Sequence, residues 1–256
     1  MANSLIIVED NNDQYTFEAI IRHFGLTDEL SVNPKPKTDE EPTPKLIDFQ
    51  SIPKENNLSK PTALVRELKA LKNDFSKEKY DKVGIIRDMD NSIEADMLLL
   101  INNALREAYP DEYQELTSCN TSVPFEFKQN STGKKLIINF ACHFVGIDSE
   151  GVRKGEIEDI LKAIKSEPSP LADCVDKHLP ECLELNGERS LRDKDLVKLW
   201  INHYQRYDTL AKKKRTNEFT SWKNVMENRA EIFNFKNELP EFQELEDFLK
   251  YVAKND

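Results

Sequence analysis

The chain has little glycine, with seven among its 256 residues, and this excludes collagen-like and glycine-rich repeats. No Walker A pattern occurs, so any ATPase the protein works with must be a separate partner. Cysteine is scarce too. The four thiols, at 119, 142, 174 and 182, form no CxxC pair. Cys174, His178 and Cys182 recur every four residues and could line one helical face, but zinc sites usually need tighter pairs and a fourth ligand. Free buried thiols in a reducing cytoplasm are the expectation. No stretch approaches the ~20 apolar residues of a membrane span. Glu9, Asp10 and Asp13 follow the first apolar run at once, so no signal peptide is expected. Positive charge is the minority, with 36 Lys and Arg against 47 Asp and Glu and a net charge of −11. That excludes a purely electrostatic nucleic-acid coat protein. It does not exclude an enzyme of nucleic acids, because bound metal and local basic patches reverse the sign where it matters.

What is present is a repeated strand–acidic turn–helix unit. Leu5-Ile6-Ile7-Val8 is wholly apolar, as strands covered on both faces of a parallel sheet are. Glu9 to Asn12 follow, then a helix from about Asp13 to His23 that ends at Gly25. Val83 to Ile86 repeats the pattern, leading into Arg87-Asp88-Met89-Asp90 and a helix to about Tyr109. Between the two units, residues 33–61 hold six of the twelve prolines and read as an insertion with a short strand at Leu46 to Phe49. A helix is expected from about Pro61 to Phe75. Phe125 to Lys128 and Lys135 to Phe140 read as a hairpin, and Phe144 to Ile147 as a further strand. A helix begins near Gly155 and ends by Ser166, and everything after about 170 reads as helical. The expected fold is α/β, with a mostly parallel sheet flanked by helices over 1–166. A helical C-terminal part, 167–256, packs on it.

Ligand sites in such sheets lie outside the carboxyl ends of the strands. Glu9 follows the first strand; Asp88 and Asp90 follow the second. On neighbouring strands these carboxylates converge, and clustered carboxylates resist ionisation unless a cation sits among them. Their hard oxygens suit Mg²⁺ or Mn²⁺. A lone acid after a strand is commonly a helix cap, which is the plainer reading of Asp13. Lys212-Lys213-Lys214-Arg215 is the strongest basic run, either a solvated face or a phosphate contact. Trp200, Tyr204, Tyr207 and Trp222 read as core.

Leu5 to Asp13 resembles the first motif of the Toprim domain, in which a strand ends in Val-Glu-Gly and an acid follows four residues after the Glu. Asp10 stands here where that Gly is usual. Ile85 to Asp90 resembles its Asp-x-Asp motif. Gly155 to Leu161 and Phe219-Thr220-Ser221-Trp222 are similar to a small nuclease-like branch related to the overcoming-lysogenization-defect nucleases. The resemblance implies a Toprim-like core and Mg²⁺-dependent (or Mn²⁺-dependent) cleavage of nucleic acid by water, with DNA the expected substrate ahead of RNA. It assigns Glu9 as metal ligand or general base and Asp88 and Asp90 as metal ligands. Asp13 would support the metal, Glu158 would be a second-metal ligand, and Asp148 and Glu150 are weaker candidates for that role. Glu156 reads equally as a first-turn helix acid, and Lys214 as a stabiliser of transition-state charge. It also implies an ABC-type ATPase as a separate partner, in phage defence, and is compatible with a homo-oligomer.

Two other resemblances compete. Ile6 to Asn11 is similar to the opening of receiver domains, with Asp88 as phosphoacceptor, but no Thr/Ser strand and Lys strand follow in order. Asp88-Met89-Asp90-Asn91-Ser92 is similar to the nucleophile motif of haloacid-dehalogenase-like phosphatases, but that motif normally opens its domain. A calcium loop at 88–99 fails, because Ile93 and Leu99 replace its turn Gly and final Glu.

Overall fold

The computed structural model describes residues 3–26, 47–51, 62–129, 132–187 and 191–253. Of the proline-rich insertion it describes only 47–51; Pro61 and the rest of that segment lie outside the described residues. Strand β1 is Asn3–Val8, and helix α1 is Asn11–His23. They are followed by β2 (Ile47–Ser51), α2 (Thr62–Ser76), β3 (Tyr80–Asp88), α3 (Glu94–Ala108), β4 (Ser122–Lys128) and β5 (Lys135–Val145). Five strands form one sheet in the order β2-β1-β3-β5-β4. All neighbours are parallel except β4, which pairs antiparallel with β5. The architecture is therefore α/β with a mixed, mostly parallel sheet.

Strand alternation divides the core in two. Leu5, Ile7, Val83, Ile85, Phe140 and Phe144 face α2 and α3. Ile6, Val8, Ile86, Ala141 and Val145 face α1 and the C-terminal helices. Those are α4 (Ile157–Ala163), α5 (Pro170–Leu185), α6 (Asp193–His203), α7 (Asn217–Thr220), α8 (Trp222–Asn228) and α9 (Pro240–Ala253). Gly84 lets α9 lie on the sheet: a Cβ there would stand 3.0 Å from Val252 and 3.1 Å from Phe248. No helix among the described residues is long and apolar enough to cross a membrane.

Three local expectations are corrected. Phe144 and Val145 end the long strand β5 instead of starting a new one; the next strand is Ile147–Ser149 (β6), hairpinned to Val152–Lys154 (β7). Cys174 and Cys182 are exposed on α5, a helix whose one buried residue is Ala172. Tyr207 is 37% exposed, while Trp200 and Tyr204 are wholly buried.

Candidate metal and phosphate site

The ends of β1 and β3 lie side by side in the sheet, and two turns build the site around them. After β1, Asp10 caps α1: its Oδ1 accepts from the amides of Asn12 (2.8 Å) and Asp13 (3.1 Å), while Asp13 Oδ2 accepts from the Asp10 amide at 3.1 Å. Asp10 has extended backbone (φ −147°, ψ −179°), so the position usually held by Gly in the resembling motif needs no glycine here. Asp13 is 7% exposed. It is both the expected cap partner and part of the acidic site.

After β3, Asp90 takes left-handed backbone (φ 50°). Its amide donates to Gly155 O (2.9 Å) and the Gly155 amide donates back to Asp90 O (2.8 Å). This bridge brings the entry of α4 against the end of β3. Gly155, at φ 99°, must be glycine, since a Cβ would strike the Asp159 carboxylate. Asp159 Oδ2 in turn accepts from the Glu156 amide at 2.8 Å. The first-turn amide of Ile157 donates to Asp88 Oδ1 at 3.1 Å.

The result joins Asp88, Glu156 and Glu158: each offers a carboxylate oxygen, and the three oxygens lie within 4.8 Å of one another. Burial, then the negative charges of Asp13, Glu9, Glu158 and Glu156, hold the Asp88 carboxyl well above the usual carboxylate range. Lysines from α6 enter the same cluster. Lys198 Nζ pairs closely with Glu156, and Lys194 Nζ reaches Asp90 at 2.9 Å and Glu156 at 3.5 Å. Burial pulls the Lys198 pKa down, but its bond to Glu156 and the charges of Glu158, Glu156 and Asp88 outweigh this and raise it. Glu156, only 3% exposed, is pushed up by burial against the opposing pull of Lys198. A cleft of about 210 Å³ opens onto the cluster, lined by Asp10, Asn12, Asp13, Asp88, Glu158, Lys198, Ile201, Asn202 and Trp222.

Other expected residues sit differently. Glu9 is held by Arg87 at 3.0 Å and reaches Asp88 through its field. Arg87 alternates with Ile86 and Asp88 along β3, so this pair leaves the sheet on the α2/α3 side. Asp90 is engaged by Lys194 and is partly exposed. Asp148 pairs with Arg153 at 3.8 Å, and Glu150 is exposed at the β6–β7 turn. Lys214 is exposed in a short 3-10 turn, Lys212–Lys214, and does not line the cleft; Lys198 does. The sequence signal for Lys194 and Lys198 is modest: two lysines four apart on one helix face, in a segment with no basic run.

A family model described as "Protein of unknown function (DUF3226)" matches residues 3–254. No curated protein and no solved structure matches the chain.

Proposed function

The chain belongs to the DUF3226 family, and from its site we propose that it is a Toprim-like, Mg²⁺- or Mn²⁺-dependent phosphodiesterase acting on nucleic acid. The observation that carries this reading is the convergence of Asp88, Glu156 and Glu158 beside Asp13 at the carboxyl ends of parallel strands. The donors fit the ion. All are hard carboxylate oxygens, and the buried Asp88 carboxyl is surrounded by negative charge that two lysines only partly offset. Asp88 and Glu158 would hold the ion, with Asp13 beside them. Glu156 is drawn toward Lys198, and Asp90 toward Lys194. A divalent cation so held supplies charge neutralisation at phosphate and a water of lowered pKa.

The chain's own groups do the rest. Lys198 extends into the cleft and offers N–H donors to a phosphate oxygen. The resemblance makes Glu9 a metal ligand or general base, but its pair with Arg87 lies on the α2/α3 side of the sheet, so it acts on the cleft through its charge on Asp88. A separate ATPase partner and a role in phage defence rest on the resemblance alone.

The test uses wild type and Asp88→Asn with plasmid, single-stranded DNA and RNA, in Mg²⁺ and in Mn²⁺. Cleavage by the wild type alone is expected, with a melting temperature that rises on adding Mn²⁺ in the wild type only. Equal cleavage by both proteins would sink the mechanism.

A further inference from the structure

The two tryptophans have different surroundings. Trp200 is wholly buried, stacked on Tyr204 at 5.0 Å, with its N–H on Asp173 at 2.8 Å. Trp222 is partly exposed and forms part of the cleft wall, with Asp13, Asp88, Glu158 and Lys198. Its indole N–H donates to Thr16 Oγ1 at 3.0 Å and to Asn12 O at 3.2 Å, both in the first turns of α1. Its ring packs in a T-shaped arrangement with Phe233, centroids 6.2 Å apart. The indole is thus held by its N–H and by Phe233, packed partly against the core, while it also borders the acidic cleft. A fixed, partly exposed aromatic beside such a cleft is what base stacking requires.

The cleft is small. At about 210 Å³ it falls below the roughly 300–1,000 Å³ of ordinary ligand pockets. It is too small for the body of a duplex. Charge argues the same way. A duplex presents one negative charge per ~1.7 Å of axis, a single strand fewer, and this chain carries −11. An acidic protein therefore repels a duplex more strongly, and a single strand alone offers free base faces.

The basic run finds a place in this arrangement. Lys198, Ile201 and Asn202 line the cleft before it in the chain, and Trp222 lines it after. The intervening segment is therefore rooted at the cleft at both ends. It carries the exposed Lys212, Lys213 and Lys214, and Arg215 anchors it, 5.0 Å over the Tyr207 ring and bonded to Leu210 O and Tyr207 O.

We propose that Trp222 is a base-stacking platform and that the site takes single-stranded nucleic acid, whose phosphates beyond the cleft meet Lys212, Lys213 and Lys214. The inference rests on the phosphodiesterase reading for its chemistry, but binding tests it separately. The full chain is titrated, with Ca²⁺ in place of Mg²⁺, with oligodeoxythymidine, oligouridine and a duplex of about 12 units, within the roughly 4–16-nucleotide sites of single-strand binders. Trp200 is shielded, so a change in tryptophan fluorescence reports Trp222. Single strands quench it and the duplex does not. The DNA and RNA arms identify which sugar is preferred. Trp222→Leu binds single strands about 5- to 160-fold more weakly, while Trp222→Phe, which keeps an aromatic face, retains most of the affinity. Replacing all three lysines by Gln lowers the salt slope by about 2. Equal binding of duplex, or wild-type affinity in Trp222→Leu, overturns the platform even where Asp88-dependent cleavage persists. Quenching by single strands without cleavage upholds the platform and removes the phosphodiesterase reading. Absence of binding to all three overturns the platform.

Discussion

The two faces of the sheet are built from different stretches of chain. The α2/α3 face draws on residues 5 to 144, most of them between 64 and 144, and packs as an aromatic cluster of Phe75, Tyr109, Phe125, Phe127 and Phe140. The opposite face joins α1 to helices from the last hundred residues, down to Val252 and Ala253. Ser4 Oγ donates to Val252 O at 2.6 Å across 248 residues of sequence. The first face holds the sheet together. The second also holds it together, and its upper rim carries the carboxylates and lysines of the site. Stability and chemistry are therefore separable on one side and entangled on the other.

The largest expected effect tests the separable side. Phe140 has no exposed surface, and its ring lies 4.6 Å from Phe125, 5.7 Å from Tyr109 and 6.0 Å from Phe75. Phe140→Ala costs about 3–5 kcal/mol in urea unfolding. The stabilisation by Mn²⁺ stays as in wild type, because no cluster residue touches that ring. Loss of the metal response in a variant that still folds would show that the two faces are not separable.

The entangled side is tested by acid. His143, in β5, is wholly buried and stacks on Phe248 of α9 at 5.3 Å. Its Nδ1–H donates to Asn120 Oδ1 at 2.7 Å, and Nε2 has no partner among the described residues. Burial, aided by the charge of Arg153, pushes its pKa down to about 3. The unfolded chain therefore takes up this proton first, near pH 6.5, and the stability due to neutral His143 is lost as pH falls from there toward 3. Asp88 and Glu156, with raised pKa values, act in the opposite sense. The measurement is accordingly a difference: between pH 7 and pH 5, wild type should lose about 2 kcal/mol more than His143→Leu. Parallel pH profiles would mean that α9 does not seal His143 from water.

Much of this is legible in the sequence, for reasons tied to particular residues. The apolar runs 5–8 and 83–86 read as strands covered on both faces, and parallel pairing then puts Asp88 beside the end of β1. Glu158 was legible as an acid at a helix start. Its meeting with Asp88 is implied by the resemblance alone, because it depends on the Asp90–Gly155 backbone bridge, which pattern does not encode. Arg87 reads as an ordinary strand residue between Ile86 and Asp88; its pleat position sends it to Glu9. The longest basic run points to Lys214, but a run of like charges favours solvent, whereas Lys198 is drawn to the cleft by its pair with Glu156. Trp222 reads as core from composition, and its place in the cleft wall follows from bonds to Asn12 and Thr16, more than 200 residues away.

The smallest expected effect sets two lysines against each other. Lys198 is in the cleft and Lys214 outside it. If Lys198 meets the reacting phosphate, Lys198→Gln lowers kcat about tenfold, equivalent to ~1.4 kcal/mol, with little change in KM. Glu156 then keeps Lys194, at 3.5 Å, as its remaining partner, so the fold should survive. Lys214→Gln removes one outlying phosphate contact, raising KM less than about threefold and leaving kcat unchanged. The kcat–KM split separates the roles, since a merely structural Lys198 would change melting without changing kcat per folded molecule. The reverse pattern, with kcat falling in Lys214→Gln alone, would return the charge-stabilising role to the basic run and put the reacting phosphate outside the rim of the cleft.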